Sequence, residues 1–181
     1  MVSNTEFKYD LGVVGLGYVG LPLAVEAATS SLKVIGFDIN SERVEMINNG
    51  HSPIEDISND ELSQSLQNFH STIDSEELSQ CRNIVISVPT PLTDYQPDLS
   101  YVINAAKTVG ENLVKNQVVI LESTTYPGTT VEVLIPNLEK MSRLKAGEDF
   151  FVGYSPERID PGNEVWKFKN TPKVISGINN V

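Results

Sequence analysis

The stretch LGVVGLGYVG, residues 11–20, decides the fold of this chain. An apolar run comes first, three glycines follow at the spacing G-x-G-x-x-G, and Leu21, Ala24 and Ala28 then recur at helical spacing. This order predicts a strand, a tight glycine turn and a helix. Pro22 is compatible with that helix, because a proline in the first turn lacks only an N–H that would have no intrahelical partner.

Strands and helices alternate along the rest of the chain. Further strands are predicted at Lys33–Asp38, Phe69–Ile73, Asn83–Val88, Gln117–Glu122, Phe150–Tyr154 and Lys173–Ser176. This alternation predicts parallel βαβ units and therefore an α/β fold, a Rossmann-like, doubly wound and mainly parallel sheet with helices on both faces.

Helices are predicted between most of these strands. Ser41 is the expected N-cap of the second helix, and a short helix is expected over 74–79. An amphipathic helix follows Pro97, and a later helix carries Val131, Leu134 and Leu138 on one face, with a kink at Pro136. The polar residues 49–68 show no periodicity that assigns an element.

Composition excludes several classes of function. The chain has 181 residues, 24 acidic against 13 basic side chains and a formal net charge of −11, so we expect no nucleic-acid partner and no anionic lipid surface. No apolar run approaches the ~18 residues that span a bilayer, and a single cysteine forms no internal disulfide. These features predict a cytoplasmic protein. Because the sequence stops directly after a strand-like segment, we expect residues 1–181 to be one domain of a longer chain.

The glycine turn is the first candidate binding site. In this motif Gly15 permits the tight turn, Gly17 lets the backbone approach a diphosphate, and Gly20 lets the helix pack close to the strand. Unpaired N–H groups at the helix N-terminus and a partial charge of about half a unit attract the diphosphate. Tyr18 and Val19, between the glycines, belong to the same candidate site. An acidic protein can thus bind a dianion locally.

Asp38 indicates which dinucleotide the turn binds. It lies 18 residues beyond Gly20, at the end of the second predicted strand, where a carboxylate accepts hydrogen bonds from the adenosine ribose and repels a 2′-phosphate. Arg43 complicates the choice, because an arginine here accommodates a 2′-phosphate or stacks on adenine. The carboxylate favours NAD over NADP.

Three further loops follow predicted strands and therefore lie at the edge of the sheet where ligands bind. Their polar candidates are Thr90 in the loop after Val88 and Pro89, Ser123 and Thr124 beside Glu122, and Glu157 in the last loop. Hydroxyls and carboxylates at these places orient a ribose, a nicotinamide amide or a water. The alternative is plain turn chemistry, since Pro, Gly, Ser and Thr also end strands for local reasons.

Six segments together resemble the N-terminal NAD-binding domain of the UDP-glucose/GDP-mannose dehydrogenase family. They are GLGYVGLPLA, GFDIN with Arg43 after it, SVPTP, PDLSYV, ESTTYPGTT and YSPERIDPGN, in the family's order, and the match runs from Leu11 to Gly177. The last two segments are most similar to the branch that oxidises UDP-N-acetylhexosamines, UDP-N-acetylglucosamine above all. UDP-glucose and UDP-N-acetylmannosamine dehydrogenases remain the alternatives within the family.

The resemblance implies an NAD-dependent, four-electron oxidation of a sugar C6 alcohol to a carboxylate. By position, Thr124 matches the threonine that holds a catalytic water, and Glu157 matches the glutamate of acid/base or water-activating work. The positions that match cofactor contacts are Gly15, Gly17, Gly20, Asp38, Arg43, Thr90 and Glu122. The family also implies a UDP-sugar substrate and a homodimer or larger oligomer for the whole enzyme.

Two departures limit this transfer. The second carboxylate of UDP-glucose dehydrogenases is replaced by Pro161, with Asp160 one residue earlier, so Asp160 receives no catalytic role. The family's nucleophilic cysteine, on a thiohemiacetal or thioester route, and its central helix and C-terminal domain would lie beyond Val181. Cys81 cannot replace that cysteine, because it precedes a strand and should lie at the opposite end of the sheet. We therefore expect the chain alone to be inactive.

Two other classes of function stay open on the residues alone. A β-hydroxyacid dehydrogenase shares the glycine turn, and a non-catalytic NAD-binding or sensor module needs nothing more than that turn. A metal site has little support, because His51 and His70 have no neighbouring cysteine or paired acid at ligand spacing.

Overall fold

A seven-stranded sheet runs through the part of the chain that a computed structural model describes, residues 6–93, 95–158 and 170–178. The strands in chain order are β1 (Tyr9–Val14), β2 (Val34–Phe37), β3 (Phe69–Thr72), β4 (Cys81–Ile86), β5 (Leu92–Thr93), β6 (Gln96–Pro97), β7 (Val118–Leu121), β8 (Phe151–Tyr154) and β9 (Ser176–Gly177). Strands β5 and β6 form a separate antiparallel hairpin, which the sequence did not predict.

The order of the main sheet is β3-β2-β1-β4-β7-β8-β9, and all neighbours from β3 to β8 are parallel. The predicted doubly wound, mainly parallel α/β sheet is thus confirmed. The chain winds outward from β1 in one direction and from β4 in the other, so the order reverses between these two strands. In such sheets ligands bind at the carboxyl ends of the strands beside this reversal.

The prediction of a strand over Lys173–Ser176 is wrong except at its last residue. β9 begins at Ser176 and pairs antiparallel with β8, with Tyr154 opposite Ser176. Because β8 ends at Tyr154, residues before Ser176 pass beyond the end of the strand and have no ladder to join. Val174 and Ile175 are accordingly 54% and 72% exposed.

Helices cover both faces of the sheet. They are α1 (Gly20–Thr29), α2 (Ser41–Asn48), α3 (Asn59–Ser65), α4 (Ser100–Asn112) and α5 (Ile135–Ser142), with a 3₁₀ helix at Ser75–Gln80 and a π-helical turn at Thr130–Leu134. Side chains of α1 and α3 pack with Leu11 and Val13 on one face. Side chains of α4 and α5 pack with Val14 on the other face. No helix within the described ranges is long and apolar enough to cross a bilayer.

The N-cap of α2 is Asn40, so the prediction of Ser41 is wrong. Asn40 has extended backbone angles, and its side chain accepts a hydrogen bond from the Arg43 N–H at 3.0 Å. The Asn40 N–H in turn donates to the Asp38 carboxylate at 2.9 Å. This contact holds Asn40 at the start of the turn, so the cap lies one residue before Ser41. Ser41 is the first helical residue.

The helix around Pro136 has a different register from the predicted one. Leu134 and Leu138 are fully buried as expected, but Val131 is 62% exposed, so the prediction that it shares their face is wrong. The cause is the π-helical turn, in which the Ile135 N–H bonds to the Thr130 carbonyl and one extra residue enters the turn. Pro136 follows the π-helical turn directly, within a helical stretch that runs unbroken from residue 129 to Ser142, and the kink at Pro136 stays a prediction.

Candidate active site

The glycine turn after β1 has three different geometric requirements. Gly15 has φ of +92°, a conformation that favours glycine, and its N–H donates to the Phe37 carbonyl at 2.9 Å. A Cβ on Gly20 would lie 1.9 Å from the Gly15 carbonyl oxygen, so α1 starts too close to the turn for any side chain. A Cβ on Gly17 would meet nothing within 4 Å, so its backbone faces open space.

The N-terminus of α1 is open to a ligand. Val19 is its N-cap residue and makes no side-chain cap, and the first turn contains no acidic residue. The Leu21 N–H donates to the Gly17 carbonyl at 3.0 Å, and the helix dipole adds about half a positive charge at this end of α1. Tyr18, which is 57% exposed, flanks this opening. The turn therefore suits a diphosphate, in a chain whose net charge alone would repel one.

Asp38 ties this turn to the end of β2. Its Oδ2 accepts hydrogen bonds from the Leu16 N–H at 2.8 Å and from Arg43 Nη1 at 2.9 Å, and its Oδ1 accepts from the Asn40 N–H. A carboxylate offers about four acceptor positions, so one remains for a ligand hydroxyl. The Asp38 side chain is 5% exposed, whereas that of Arg43 is 36% exposed.

A seryl hydroxyl that the sequence reasoning did not single out joins the turn to the next loop. Ser87 Oγ is placed to donate to the carbonyls of Val14 and Gly15, at 3.2 and 3.0 Å. The only signal for it in the sequence was its place at the start of SVPTP. It holds the loop that follows β4 against the glycine turn, at the reversal of strand order.

The loops after β4 and β7 are also hydrogen-bonded to each other. Ser123 Oγ donates to the Val88 carbonyl, and Thr90 Oγ1 donates to the Thr124 carbonyl, both at 2.6 Å. Pro89 lies between the two contact points of the first loop. The Glu157 N–H donates to the Glu122 carbonyl at 3.2 Å, which joins the loop after β8 to the same edge.

Two glutamates and a lysine form a compact cluster on this edge. Lys173 Nζ pairs with Glu122 Oε1 and lies 3.3 Å from Glu157 Oε2. The side chains of Glu122, Glu157 and Lys173 are 4%, 8% and 25% exposed. Sequence reasoning missed Lys173, which lies 51 residues from Glu122 in a segment without a motif.

Burial disfavours the charged form of Glu122. Its Oε2 is buried and has no hydrogen-bond partner among the described residues. Loss of solvent raises the pKa of Glu122, Lys173 opposes that rise, and the nearby Glu157 carboxylate adds to it. The cluster therefore carries a proton-binding group whose ionisation depends on Lys173.

A cavity of about 250 Å³ lies beside the loop that follows β7. It is lined by residues 125–130 and by Tyr154. The cavity begins one residue after Thr124, so a ligand that reached Thr124 would have room on this side.

Cys81 lies far from this edge. It is the first residue of β4 rather than a residue before the strand, and it is fully buried at the amino end of the sheet. Burial raises the pKa of its thiol to about 12. Cys81 was expected not to replace a catalytic cysteine because it should lie at the amino end of the sheet, and the structure places it at that end. Asp160 and Pro161 lie outside the described residues, and no group of three potential metal ligands occurs within the described ranges.

The fold and the turn define a dinucleotide-binding domain of the Rossmann class. Residues 9–181 match the model of the UDP-glucose/GDP-mannose dehydrogenase family, NAD binding domain. The chain belongs to this family, and it is the NAD-binding domain that the six sequence segments predicted.

Named relatives place the chain within the family. It is 44% identical over 169 residues to Protein CapL of Staphylococcus aureus and 42% identical over 171 residues to a UDP-N-acetyl-D-glucosamine 6-dehydrogenase of Salmonella typhi. These alignments cover 93% and 94% of this chain but 39% and 40% of the relatives. The chain thus spans about two fifths of their length.

Solved structures agree with this fold. The structure of a UDP-D-ManNAc dehydrogenase from Pyrococcus horikoshii superposes with a TM-score of 0.84 at 38% identity, over 93% of this chain and 41% of that one. A GDP-mannose dehydrogenase from Pseudomonas aeruginosa superposes with a TM-score of 0.80 at 33% identity, over 83% of this chain and 36% of that one.

Proposed function

We propose that this chain is the NAD-binding domain of a nucleotide-sugar 6-dehydrogenase that oxidises the C6 alcohol of UDP-N-acetylglucosamine to a carboxylate. The 42% identity to a UDP-N-acetyl-D-glucosamine 6-dehydrogenase supports this substrate over UDP-glucose and UDP-N-acetylmannosamine. The whole enzyme, on this proposal, is a cytoplasmic homodimer or larger oligomer, and its central helix and C-terminal domain complete the substrate site.

One observation carries the proposal. Hydrogen bonds connect the glycine turn to Ser87, the loop after β4 to the loop after β7, and the loop after β7 to Glu157. Four loops at the carboxyl ends of β1, β4, β7 and β8 thereby form one continuous edge. A dinucleotide laid along such an edge would have its diphosphate at the glycine turn, its adenosine toward Asp38 and its nicotinamide toward the acid/base side chains.

The residues present fit NAD. The open space over Gly17, the uncapped N-terminus of α1 and the remaining acceptor position of Asp38 are the observations that support this fit. The residues proposed to hold the cofactor are Gly15, Gly17, Tyr18, Val19, Gly20, Asp38, Arg43, Val88, Pro89, Thr90, Glu122, Ser123 and Thr124. Bound NAD accepts a hydride from the C6 carbon of the sugar.

Glu157 and Thr124 are the proposed catalytic residues. Oxidation of the alcohol to the carboxylate removes two hydrides from the sugar, consumes one water and releases three protons. Glu157 takes up the proton of the C6 hydroxyl as a general base, and the Thr124 hydroxyl orients the water that is added. Both residues lie on loops joined to Glu122 or Thr90, so these hydrogen bonds fix both residues on the edge that would hold the cofactor.

The test uses the complete protein that contains this chain. Glu157→Gln and Thr124→Ala should each lower kcat by roughly 100-fold or more, because general acid/base groups typically contribute 10²–10⁴-fold, and Glu157→Gln should change NAD affinity little. Ser63→Ala, an exposed change on α3, is the control. Two NADH per UDP-N-acetylglucosamine are expected from the wild type.

Three results would contradict parts of this proposal. Faster oxidation of UDP-glucose or UDP-N-acetylmannosamine would make the substrate wrong. A large loss of NAD affinity in Glu157→Gln would make Glu157 a cofactor ligand. Production of NADH by residues 1–181 alone would show that no further domain is needed.

A further inference from the structure

We propose that Lys173 is a positioning residue, which bridges the carboxylates of Glu122 and Glu157 and so holds Glu157 in place as a proton acceptor. The inference rests on the proposed function of Glu157. It concerns a residue that no motif of the sequence contains.

The fold brings Lys173 to this place through the last strand. β9 pairs antiparallel with β8, and Tyr154 lies opposite Ser176. Residues that precede Ser176 therefore run alongside the loop that follows β8, which carries Glu157. From this position Lys173 Nζ pairs with Glu122 Oε1 and lies 3.3 Å from Glu157 Oε2.

Two carboxylates at one buried edge need a cation between them. Like charges this close favour uptake of a proton by one of the pair, and burial strengthens that tendency. The Glu122 side chain is 4% exposed, so water screens little of the repulsion. The Lys173 ammonium, which contacts both carboxylates, offsets part of that repulsion.

The neighbouring Arg158 contributes differently. Its Nη1 donates to the Pro172 carbonyl at 3.2 Å, and its backbone N–H donates to the Glu157 carboxylate. The Arg158 guanidinium thus helps to hold the segment that carries Lys173. Among the described residues, Glu122 and Lys173 are charged side chains that interact with Glu157, whereas Arg158 reaches it through its backbone N–H.

The first test measures catalysis in the complete protein. Lys173→Met should lower kcat for sugar oxidation by roughly 10- to 100-fold with a smaller change in the KM for NAD, since Lys173 acts through a general base. Lys173→Arg should recover much of the loss, because it restores a cation. Lys115→Met is the matched control, since it removes the same charge from an exposed ion pair with Asp149 at the other end of the sheet. Equal losses in Lys173→Met and Lys173→Arg would contradict the proposal.

A double-mutant cycle separates bridging from any independent effect. In a Glu122→Gln background the Glu122 carboxylate no longer repels Glu157, so Lys173→Met should lower kcat there by only a few fold. The same fold loss in both backgrounds would show that Lys173 does not act through this pair. If Lys173→Met alone unfolds but the double variant folds, the pairing is supported, and unfolding of both would show a purely structural role.

The third test is independent of activity. Carboxyl ¹³C resonances of the 181-residue chain, followed against pH, should show Glu122 titrating at higher pH in Lys173→Met than in the wild type, because Lys173 lowers the pKa of Glu122. Lys115→Met should leave that titration unchanged. An unaltered Glu122 titration in Lys173→Met would overturn the proposal. If the wild type does not oxidise the sugar but Glu122 titrates as expected, the proposed function is wrong and the bridging role of Lys173 is not.

Discussion

The three glycines of the first turn are required for different physical reasons. Gly15 is required by its backbone angle, Gly20 by the contact between helix and turn, and Gly17 by nothing within the protein. A glycine without an internal reason, at the opening of a helix N-terminus, is explained by the approach of a ligand.

This difference predicts opposite effects of two alanine substitutions. Gly20→Ala should lower the melting temperature by several degrees, because its Cβ would overlap the Gly15 carbonyl. Gly17→Ala should leave the melting temperature nearly unchanged and weaken NAD binding, measured by calorimetry, by roughly tenfold or more. Equal NAD affinity in Gly17→Ala and wild type would remove the diphosphate from this turn.

Asp38 combines a structural and a binding role. Asp38→Ala should weaken NAD binding by roughly 10- to 100-fold, since hydrogen bonds to charged groups contribute about 1.5–3 kcal/mol. It should also lower the melting temperature, because the Leu16 N–H and Arg43 lose their partner. Asp10→Ala is the control, since Asp10 likewise accepts from a backbone N–H, that of Lys33, but is exposed at the other end of the sheet. Unchanged NAD affinity in Asp38→Ala would exclude Asp38 from the site.

Among the elements, those with strong periodicity were predictable and those fixed by local or distant contacts were not. The β-branched runs and the amphipathic α4 follow from hydrophobic pattern. Helix α3 has Leu62 as its one buried apolar side chain, so its pattern is too weak to detect. The register change at the π-helical turn depends on the chain around Pro136, which periodicity alone does not represent.

A capping box marks the start of α3. Ser58 and Glu61 exchange side-chain and backbone hydrogen bonds at its N-terminus. Ser58→Ala should lower the free energy of unfolding by about 1 kcal/mol, whereas Ser63→Ala on the exposed face should change it by less than about 0.5 kcal/mol. Urea unfolding measures both. Equal effects would show that the cap does not stabilise α3 in the protein.

At the scale of the whole molecule, the sheet places every strand-end loop at one edge, and this much of the site was predictable. The glycine turn, Asp38 and the loops at Thr90, Thr124 and Glu157 follow from strand order. Lys173 does not, because its contact with Glu122 depends on the path of the chain around β9. The Ser87 contacts likewise depend on how closely two loops approach.

The buried thiol of Cys81 predicts how stability depends on alkaline pH. Its pKa is raised to about 12 by burial, so the folded state keeps the thiol neutral at pH values where the unfolded chain ionises it. This stabilisation is complete below the ordinary thiol pKa of about 8.5 and is lost as pH rises toward 12. The free energy of unfolding of the wild type should therefore decrease from pH 8 to pH 11 more than that of Cys81→Ala. Parallel curves would contradict the burial of Cys81.

The most direct test of the account is to map NAD onto the 181-residue chain by amide chemical shifts. The account predicts that the largest shifts on addition of NAD occur at residues 15–21 and at Asp38, with further shifts in the loops after β4 and β7. Amides at the amino ends of the strands, such as that of Cys81, should not move. An absence of shifts at millimolar NAD, or shifts confined to residues away from the glycine turn, would contradict it.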